Sequence, residues 1–433
     1  MANNRTCFKL VSRCRPLTSP EASPTTNAVK ILLLSQWFEP EPFHKGLAFA
    51  KELQRNGHQV SVLTGFPNYP GGKIYPGYRQ RLFAREVMEG IPVTRVPLYP
   101  SHDRSALRRM LCYASFAFSS LCAIFLLPRP DVVYAYGPPP TAALAAVALR
   151  IVRKVPFLFD DTDLWPDTLG ATGMVNSERL LRIIRWWVDY VYRSAAHVTV
   201  LASGYKARLI ERGIPADHVS VLPNWGIEEA ATPVDAAPAK SGGTFTILFA
   251  GNMGPAQDLP VVLEAAHRLK TLRPDIRFLF AGSGVDAASL EAQAEKEGLD
   301  NVSFLGRLAP RDMPPIFAAA DALLVHLRDE PMFAFTVPSK TQSYLQAGKP
   351  ILMGVRGDAA DMVAAAGAGI AFQPGNPEAL ATAAVELADM PLEQRTAMGL
   401  SGRRYYAENL SCAVGTRRFL KLFEDAVRRA HAA

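Results

Sequence analysis

Residues suited to binding a phosphorylated ligand occur in the segment ILFAGNMGPAQDL, residues 247–259. An apolar strand pattern leads into a turn that contains Gly251 and Gly254, and a helical pattern follows. Such a turn makes an anion site because free backbone N–H groups and the helix dipole point at the same spot. Asn252 and Gln257 can donate hydrogen bonds there, but the turn holds no Lys or Arg. The segment therefore predicts a phosphate loop whose positive charge comes from elsewhere.

A candidate for that charge is Lys340, in the segment VPSKTQSYLQAGKP, residues 337–350. Pro338 suits the start of a helix and Ser339 its capping region, so Lys340 is expected in the first turn. A Lys is normally favoured at the other end of a helix, so this position indicates an anionic partner. We predict that Lys340 neutralises the ligand held by the turn; the alternative is a solvated surface Lys.

Two carboxylates follow a strand pattern in the first half of the chain, in DTDLWPD, residues 161–167. Asp161 and Asp163 are expected at the carboxyl end of that strand, where doubly wound sheets bind ligands. We predict both, with Lys340, as catalytic residues, and Asp163 as the group that holds a hydroxyl of the ligand. Trp165 offers a flat face to a ring of the ligand, although a buried Trp is as common.

A long loop, GFPNYPGGKIYPGY, covers residues 65–78 and is too rich in Pro, Gly and Tyr for regular structure. Long ordered loops of this kind are often functional, so Asn68, Tyr69 and Lys73 are predicted to contact a ligand. A rigid structural loop is the alternative.

Three further segments carry candidates for ligand binding. In FHKGL, Gly46 can let the backbone approach a ligand and Lys45 adds charge near the cleft. Gly282, in AGSGVD, ends a strand pattern and is expected to border the ligand. Arg307, in FLGR, is expected near the ligand, or else on the surface.

The elements that position these residues alternate regularly between strands and helices. The opening VKILLLSQWF, a helical pattern and HQVSVLTG form a βαβ unit, and a second series of the same kind begins at FTILFAG. We predict an α/β fold of two doubly wound Rossmann-like domains facing across a cleft. The expected segments are a disordered leader (1–28), an N-terminal domain (29–227), a linker (228–243), a C-terminal domain (244–408) and a helix that packs back on the first domain (409–433).

Charge is divided unevenly between the two halves of the 433-residue chain. Residues 1–228 carry a net charge of +10 and the remainder −3, so the first half suits an anionic surface. Five cysteines without a C-x-x-C pair fit a reducing cytoplasm. Residues 110–127 have no charged side chain, and three interpretations stay open: a core helix, a monotopic membrane contact, or a membrane span.

The sequence resembles family 4 glycosyltransferases, in particular their WbuB-like branch, which transfers L-fucosamine and related sugars in bacterial polysaccharide assembly, including O-antigen and exopolysaccharide. Five segments across residues 29–425 carry the resemblance: FEPEPFHKGLAFAKELQRNGHQVSVLTGFPNYPGGKIYPGY, DTDLWPDTLGATGM, VLPNW, FAGNMGPAQDL and VPSKTQSYLQAGKPIL. The runs GFPNYPGGKIYPGY and GNMGPAQ are specific to the branch. The resemblance implies the GT-B fold with a C-terminal cross-over helix.

The resemblance also implies a retaining transfer from a nucleotide diphosphate sugar bound in the C-terminal domain. The acceptor would be a lipid-linked sugar or polysaccharide, docked on the N-terminal domain at the cytoplasmic face of the plasma membrane. On this interpretation Asp163 would hold a sugar hydroxyl or orient the acceptor, and the other acceptor-side residues would be Asn68, Tyr69, Lys73 and Trp165. Gly282 would border the nucleotide and Arg307 its base or phosphates, and the other donor-side residues would be Lys45, Gly46, Gly251, Asn252, Gly254 and Gln257. UDP-linked N-acetyl-L-fucosamine and GDP-fucose are the implied donors. An anionic membrane is an expected partner, nucleic acid is not, and no metal or other cofactor is expected.

Two departures from the wider family bear on donor binding. Asn252 and Gln257 stand where many members have an Arg and a Lys, and Phe335 and Ser343 stand where a pair of glutamates is usual. Ser343 and Ser339 are therefore predicted as uncharged donor contacts. The missing glutamates leave two alternatives to a transferase: a non-catalytic scaffold that binds nucleotide sugars, and a nucleotide-sugar epimerase of the same fold.

Overall fold

The computed structural model describes residues 28–43, 45–101, 105–171, 175, 177–226 and 243–432. The predicted leader, apart from residue 28, and the predicted linker, apart from residue 243, lie outside the described residues. The described chain forms two sheets with helices on both faces of each.

The N-terminal domain is built on an eight-stranded sheet in the order β3-β4-β2-β1-β5-β6-β7-β8, parallel except for β3. Its strands are β1 (Lys30–Leu34), β2 (Gln59–Gly65), β3 (Ala84–Met88), β4 (Ile91–Val96), β5 (Val132–Gly137), β6 (Phe157–Asp161), β7 (His197–Val200) and β8 (Val219–Val221). Its helices are α1 (Leu47–Arg55), α2 (Ala106–Ile124), α3 (Ala143–Arg153), α4 (Asp167–Ala171), α5 (Glu178–Ser194) and α6 (Ser203–Glu211).

The C-terminal domain has a six-stranded parallel sheet in the order β11-β10-β9-β12-β13-β14. Its strands are β9 (Phe245–Asn252), β10 (Ile276–Ser283), β11 (Val302–Gly306), β12 (Ala322–His326), β13 (Ile351–Gly354) and β14 (Gly369–Ala371). The helices are α7 (Pro260–Leu272), α8 (Ala287–Lys296), α9 (Met313–Ala319), α10 (Ser339–Ala347), α11 (Asp358–Ala365), α12 (Pro377–Asp389), α13 (Leu392–Asn409) and α14 (Cys412–Ala432). The predicted α/β class with two Rossmann-like domains is confirmed.

The strand pattern missed the hairpin of β3 and β4. Its turn is formed by Glu89 and Gly90, both in the left-handed region with φ of 48° and 87°. Two such residues between antiparallel strands match the twist of a hairpin. The hairpin lies at the sheet edge and β3 alternates between partly buried and exposed positions, so its apolar signal is weak.

The last helix, α14, lies against the N-terminal domain. Phe419 and Phe423 are fully buried in a cluster with Phe49 of α1 and Tyr134 of β5. A helix with a buried apolar face of this kind is held by packing, not by its own propensity. This contact ties the end of the chain to the first sheet.

The uncharged run 110–127 is largely helix α2, which lies over the first sheet. On one face of α2, Cys112, Phe116 and Ile124 are buried in the core. On its other face, Leu111 and Phe118 are exposed. None of the described helices combines the length and the apolar character needed to cross a bilayer. Of the three interpretations, the buried face of α2 fits a core helix, and its exposed face leaves a membrane contact open.

Candidate functional site

The predicted phosphate loop, residues 251–258, forms a compact turn. After β9 a short 3₁₀ turn covers Pro255–Gln257, and α7 then begins at Pro260. The Gln257 side-chain oxygen accepts hydrogen bonds from the backbone N–H of Gly254 (3.1 Å) and from the Asn252 amide (3.3 Å). Asn252 and Gln257 are thus bonded to each other, and Asn252 is exposed at the loop surface.

Gly282, near the end of β10, allows that strand to pack directly against loop 251–258. A methyl group at Gly282 would lie 1.9 Å from the carbonyl oxygen of Gly251, and its φ of +146° is accessible mainly to glycine. The Met253 N–H also donates to the carbonyl of Ser283 (2.9 Å). Gly282 therefore borders loop 251–258 directly and fixes its position through backbone contact.

A buried histidine, not singled out from the sequence, supports the loop from behind. Nδ1 of His326 lies 2.8 Å from the carbonyl oxygen of Gln257, and Nε2 accepts from the N–H of Gly375 at 3.3 Å. Because Nε2 accepts, Nδ1 carries the proton and donates to Gln257. Burial lowers the pKa of His326, so the ring is neutral and acts as a fixed support.

Lys340 lies in the first turn of α10, as predicted, and its amine is beneath the loop. Nζ lies 3.6 Å from the centroid of the Phe249 ring. It also lies 3.3 Å from the point where a methyl group on Gly251 would be. The stem of Lys340 is partly exposed, but Nζ is buried and has no hydrogen-bond partner among the residues that the structure describes. Burial lowers its pKa from 10.5 to about 7.

The position of α10 is fixed by Tyr344. Its hydroxyl accepts a hydrogen bond from the backbone N–H of Ala250 (2.8 Å) and donates to the Ala250 carbonyl (3.2 Å). Ser339 is exposed at the start of the helix, and Ser343 is partly buried one turn after Lys340. The Cα of Ser343 lies 3.7 Å from the point where a methyl group on Gly226 would be, so it is near the end of the N-terminal domain.

In the N-terminal domain, Asp163 lies in the turn that follows β6. It is partly buried, and it accepts a hydrogen bond from the Trp165 side chain. Burial, reinforced by the charge of Asp161, raises the pKa of Asp163 to about 6. Burial is also the main cause of the raised pKa of four surrounding tyrosines, and the Asp163 charge adds to each: Tyr69, Tyr113, Tyr136 and Tyr205. Asp163 is therefore a carboxylate in an aromatic setting.

Asp161 and Trp165 both have partners within the N-terminal domain. Asp161 is buried, and its oxygens accept from the Tyr192 hydroxyl and from the N–H groups of Asp163 and Leu164 (both 3.3 Å). Asp161 therefore holds the turn that carries Asp163, and its catalytic role stays a prediction. Trp165 is buried with its ring against Tyr113, which leaves no open face for a sugar.

The loop 65–78 is held in place by a buried glutamate. One oxygen of Glu41 accepts from the N–H groups of Asn68 and Tyr69 (both 2.7 Å). Asn68 is buried and its amide donates to the carbonyl of Phe66 (3.0 Å), so its predicted acceptor contact is wrong. Tyr69 lies against Trp37 with part of its surface open, and Lys73 is exposed; both stay acceptor-side predictions.

The structure also places Lys45 away from its expected position near the cleft. Its Nζ lies 2.6 Å from Asp160, with both side chains fully buried, and the rings of Trp225 and Phe419 are 5.8 and 5.1 Å away. Burial lowers the pKa of Lys45 and the Asp160 charge opposes that fall. The amine therefore does not reach the cleft, because it neutralises a carboxylate of the core.

Gly46 makes room for a carboxylate of the chain itself. A methyl group there would lie 2.3 Å from the Glu39 carboxylate oxygens, and Glu39 accepts from the N–H of Leu47 at 2.7 Å. Glu39 thus occupies the N-terminus of α1, where a ligand was expected. The donor contact at Gly46 stays a prediction, and in this structure the Glu39 carboxylate lies at that place.

The two domains meet around the carboxyl ends of their sheets. Asp358, in the first turn of α11, accepts from the hydroxyl of Ser203 and from the N–H groups of Ser203 (3.3 Å) and Gly204 (2.9 Å) at the start of α6. Arg307 is exposed, and its charge opposes the burial-driven rise in the pKa of Tyr75 in loop 65–78. Arg307 therefore faces the other domain across the cleft.

Loop 251–258 with Lys340 and the turn at Asp163 thus lie at the carboxyl ends of the two sheets. Two facing doubly wound domains with a last helix that crosses back define a GT-B glycosyltransferase. Among the described residues, no group of three or more His, Cys, Asp or Glu side chains is arranged to hold a metal ion.

Comparison with known families and structures agrees with this class. Residues 47–225 match the glycosyl transferase 4-like domain, and residues 233–405 match the glycosyl transferases group 1 domain. Together the two models span most of the chain, which belongs to the GT4-like glycosyltransferases and is an enzyme of that class.

Individual relatives are distant. A protein of Escherichia coli (strain K12), provisionally named colanic acid biosynthesis glycosyl transferase WcaI, is 27% identical over 317 residues, covering 68% of this chain and 75% of that protein. A GDP-mannose-dependent monoacylated alpha-(1-6)-phosphatidylinositol monomannoside mannosyltransferase of Corynebacterium glutamicum is 27% identical, covering 46% of this chain and 53% of that protein. The crystal structure of Anabaena HepE in complex with UDP and glucose matches with a TM-score of 0.65 at 16% identity, over 92% of this chain and 100% of that one.

Proposed function

We propose that this glycosyltransferase moves a sugar, with retention of anomeric configuration, from a nucleotide diphosphate donor to a lipid-linked sugar or polysaccharide at the cytoplasmic face of the membrane. The observation that carries the proposal is the buried amine of Lys340 beneath loop 251–258, for which the described residues provide no hydrogen-bond partner. A buried cation without a partner is unfavourable unless an anion arrives to pair with it. The diphosphate of the donor is that anion.

Loop 251–258 and Lys340 divide the work of binding the diphosphate. Backbone N–H groups and the exposed Asn252 amide donate hydrogen bonds, and Lys340 contributes the charge that the loop lacks. Negative charge grows on the leaving diphosphate as the glycosidic bond breaks, so a cation placed there stabilises the transition state more than the ground state. Gly282 holds the loop, and Ser339 and Ser343 are donor contacts on α10.

Asp163 serves the acceptor. With a pKa of about 6 it is mostly ionised at neutral pH, so it accepts a hydrogen bond from the hydroxyl that attacks the donor. The partly open Tyr69 lies on the same side and offers an apolar face to a sugar ring. We assign Asp163 the role of orienting the acceptor; a phosphate oxygen of the leaving group can take the proton in a retaining transfer.

The nature of the substrates rests on similarity. The WbuB-like resemblance favours N-acetyl-L-fucosamine from UDP or fucose from GDP. The relative from C. glutamicum bears a name that specifies a GDP-sugar donor and a lipid acceptor, and HepE was solved with UDP and glucose. Both facts support a nucleotide diphosphate donor, and the first supports an acceptor at a membrane. No metal cofactor is needed, because Lys340 and the loop supply the electrostatic stabilisation.

The proposal is tested by a donor screen followed by product analysis. Thermal unfolding is measured with UDP, GDP, UDP-N-acetyl-L-fucosamine and GDP-fucose; a true donor at 100 times its Kd adds about 2.7 kcal/mol of stability. The stabilising donor is then incubated with a polyprenyl diphosphate sugar, and NMR of the product reads the anomeric configuration. Inversion would refute the retaining mechanism.

The same experiment separates the two alternatives. A scaffold would be stabilised by the donor but would release no free sugar or nucleotide, whereas a transferase slowly hydrolyses its donor without acceptor. An epimerase would convert one nucleotide sugar into another in the absence of any acceptor. Membership of the glycosyltransferase family favours neither alternative.

A further inference from the structure

Helix α5 has an apolar and basic stripe on the side that faces away from the sheet. The stripe consists of Arg179, Ile183, Trp186, Tyr190 and Arg193, spaced four and three residues apart, so it forms one face of the helix. All five are exposed; Ile183 is 62% and Trp186 68% accessible to solvent. The rings of Trp186 and Tyr190 stack with their centroids 6.1 Å apart. This stripe was not predicted from the sequence.

The stripe is not required to hold α5 on the sheet. The opposite face of the helix supplies Ile184, Val188, Val191 and Tyr192 to the core. The exposed part of the Trp186 ring contributes little to folding, because 68% of that side chain stays accessible to water. Large exposed apolar patches of this kind mark interaction sites.

Two neighbouring helices extend the apolar surface. The helices α2, α3 and α5 lie between strands that follow one another along the chain: β4 and β5, β5 and β6, and β6 and β7. Helix α3 contacts both α2 and α5. These helices, with the residues just after α2, hold half of the large apolar side chains that are exposed in the described chain: Leu107, Leu111, Phe118, Leu126, Ile151, Val152, Leu180, Ile183, Trp186 and Tyr190. The patch therefore spans one broad face of the N-terminal domain.

The arginines of α5 give this helix a net positive charge. Its four arginines, at positions 179, 182, 185 and 193, are exposed and form no ion pair with any residue that the structure describes. Of its two acidic residues, Asp189 is already paired with Arg212 at 2.6 Å. Only Glu178 is left to oppose the four arginines.

We propose that the face formed by α2, α3 and α5 is a docking surface for an anionic lipid bilayer. Trp and Tyr rings favour the boundary between headgroups and acyl chains, and arginines on the same face pair with lipid phosphates. A second copy of this chain is disfavoured, because two such faces would bring four unpaired arginines against four others. The net charge of +10 on residues 1–228 has the sign that this partner requires.

This surface would also bring the cleft to the bilayer. Helix α5 begins after the turn at Asp163 and ends just before β7, so its first turn lies near the carboxyl ends of the strands. An enzyme docked by this face holds its acceptor pocket close to the lipid headgroups. This consequence rests on the proposed function, whereas the binding surface itself does not.

Vesicle sedimentation tests the proposal with the full chain. Wild-type protein is mixed with phosphatidylcholine vesicles containing 30% phosphatidylglycerol, or with phosphatidylcholine alone, at about 0.1 M salt. We expect binding to the anionic vesicles at least tenfold stronger, and weaker binding at 0.5 M salt because the arginine contacts are screened. Two variants, Ile183→Ser with Trp186→Ser and Arg182→Glu with Arg185→Glu, are each expected to lose at least tenfold in binding.

Matched controls keep the outcomes separate. Leu272→Ser, at an exposed position of the other domain, should bind vesicles as the wild type does. Stabilisation by the donor should be unchanged in the α5 variants, and Lys340→Met should still bind vesicles, so failure of the lipid surface and failure of the donor site are distinguishable. Unchanged vesicle binding in both α5 variants would overturn the proposal. So would a dimer that these variants abolish while wild-type protein ignores the vesicles.

Discussion

Replacing Lys340 with Met should stabilise the free protein and impair donor binding. Met has a similar length and no charge, so it fills the space under loop 251–258 without a buried amine. The fall in the Lys340 pKa from 10.5 to about 7 corresponds to about 4.8 kcal/mol, at 1.36 kcal/mol for each pH unit. Because the stem of the side chain is partly exposed, we expect a gain of about 2–3 kcal/mol in the free energy of unfolding.

The gain depends on pH in a definite direction. Between about pH 7 and 10.5 the unfolded chain binds the Lys340 proton and the folded chain does not, so wild-type stability rises with pH across this range. The destabilisation is fully present below pH 7 and absent above pH 10.5. Urea unfolding of wild type and Lys340→Met should therefore differ most at pH 6 and converge towards pH 10.

Donor binding should reverse the order of the two proteins. A diphosphate paired with Lys340 raises the pKa of the amine, so wild-type binding takes up a proton above pH 7 and weakens by up to tenfold for each further pH unit. Calorimetry in two buffers with different heats of ionisation measures this uptake. Losing a hydrogen bond to a charged group, about 2–3 kcal/mol, should weaken donor binding by Lys340→Met roughly 30- to 150-fold.

The exposed Lys296 gives a matched control, since Lys296→Met removes a surface amine far from loop 251–258 in sequence. It should change neither stability nor donor affinity appreciably. If wild type takes up no proton and Lys340→Met binds the donor normally, then Lys340 does not contact the diphosphate and the reasoning is refuted.

Three further predictions concern the opposite side of the cleft and the core. Asp163→Asn should lower the rate of transfer at least about 100-fold with little change in donor Kd. Wild-type activity should rise with pH through about 6 as Asp163 ionises. Kinetics of both proteins from pH 5 to 8 check these two expectations. Lys45→Met should lower the free energy of unfolding in urea by about 3–5 kcal/mol, because it leaves buried Asp160 unpaired, while native protein still binds donor normally. Asp358→Ala removes the cap that the C-terminal domain gives to α6. It should lower the free energy of unfolding by about 1 kcal/mol and increase the radius of gyration in X-ray scattering. An unchanged radius would mean that this contact does not hold the domains together.

Strand and helix periodicity was sufficient to predict the fold class, because buried parallel strands appear as apolar runs and the helices between them have one apolar face. The β3–β4 hairpin escaped because it lies at an edge, where one strand has few buried positions. The candidate site was predicted less evenly. Loop 251–258 and Lys340 followed from local rules about helix ends, whereas the position of Lys45 depended on Asp160, 115 residues away.

At Asp161, Trp165, Asn68 and Gly46 the structure shows contacts within the chain that the sequence did not indicate, and these four cases share one cause. Each residue type can either contact a ligand or satisfy the chain, and the local sequence does not distinguish the two. The partners that decide the matter come from distant segments, such as Tyr192 for Asp161 and Glu41 for Asn68. No pattern in the sequence indicated what the carboxylates of Glu39 and Glu41 bind.

The sequence alone determined the class of this protein: two doubly wound domains, a phosphate loop without a cation, and a Lys at a helix N-terminus nearby. These properties are local, since periodicity and helix capping act over a few residues. Only the tertiary structure decided which cation lies in the cleft, because burial and charge pairing depend on residues brought together from remote parts of the chain. It placed Lys45 in the core with Asp160 and left Lys340 without a partner beneath Gly251.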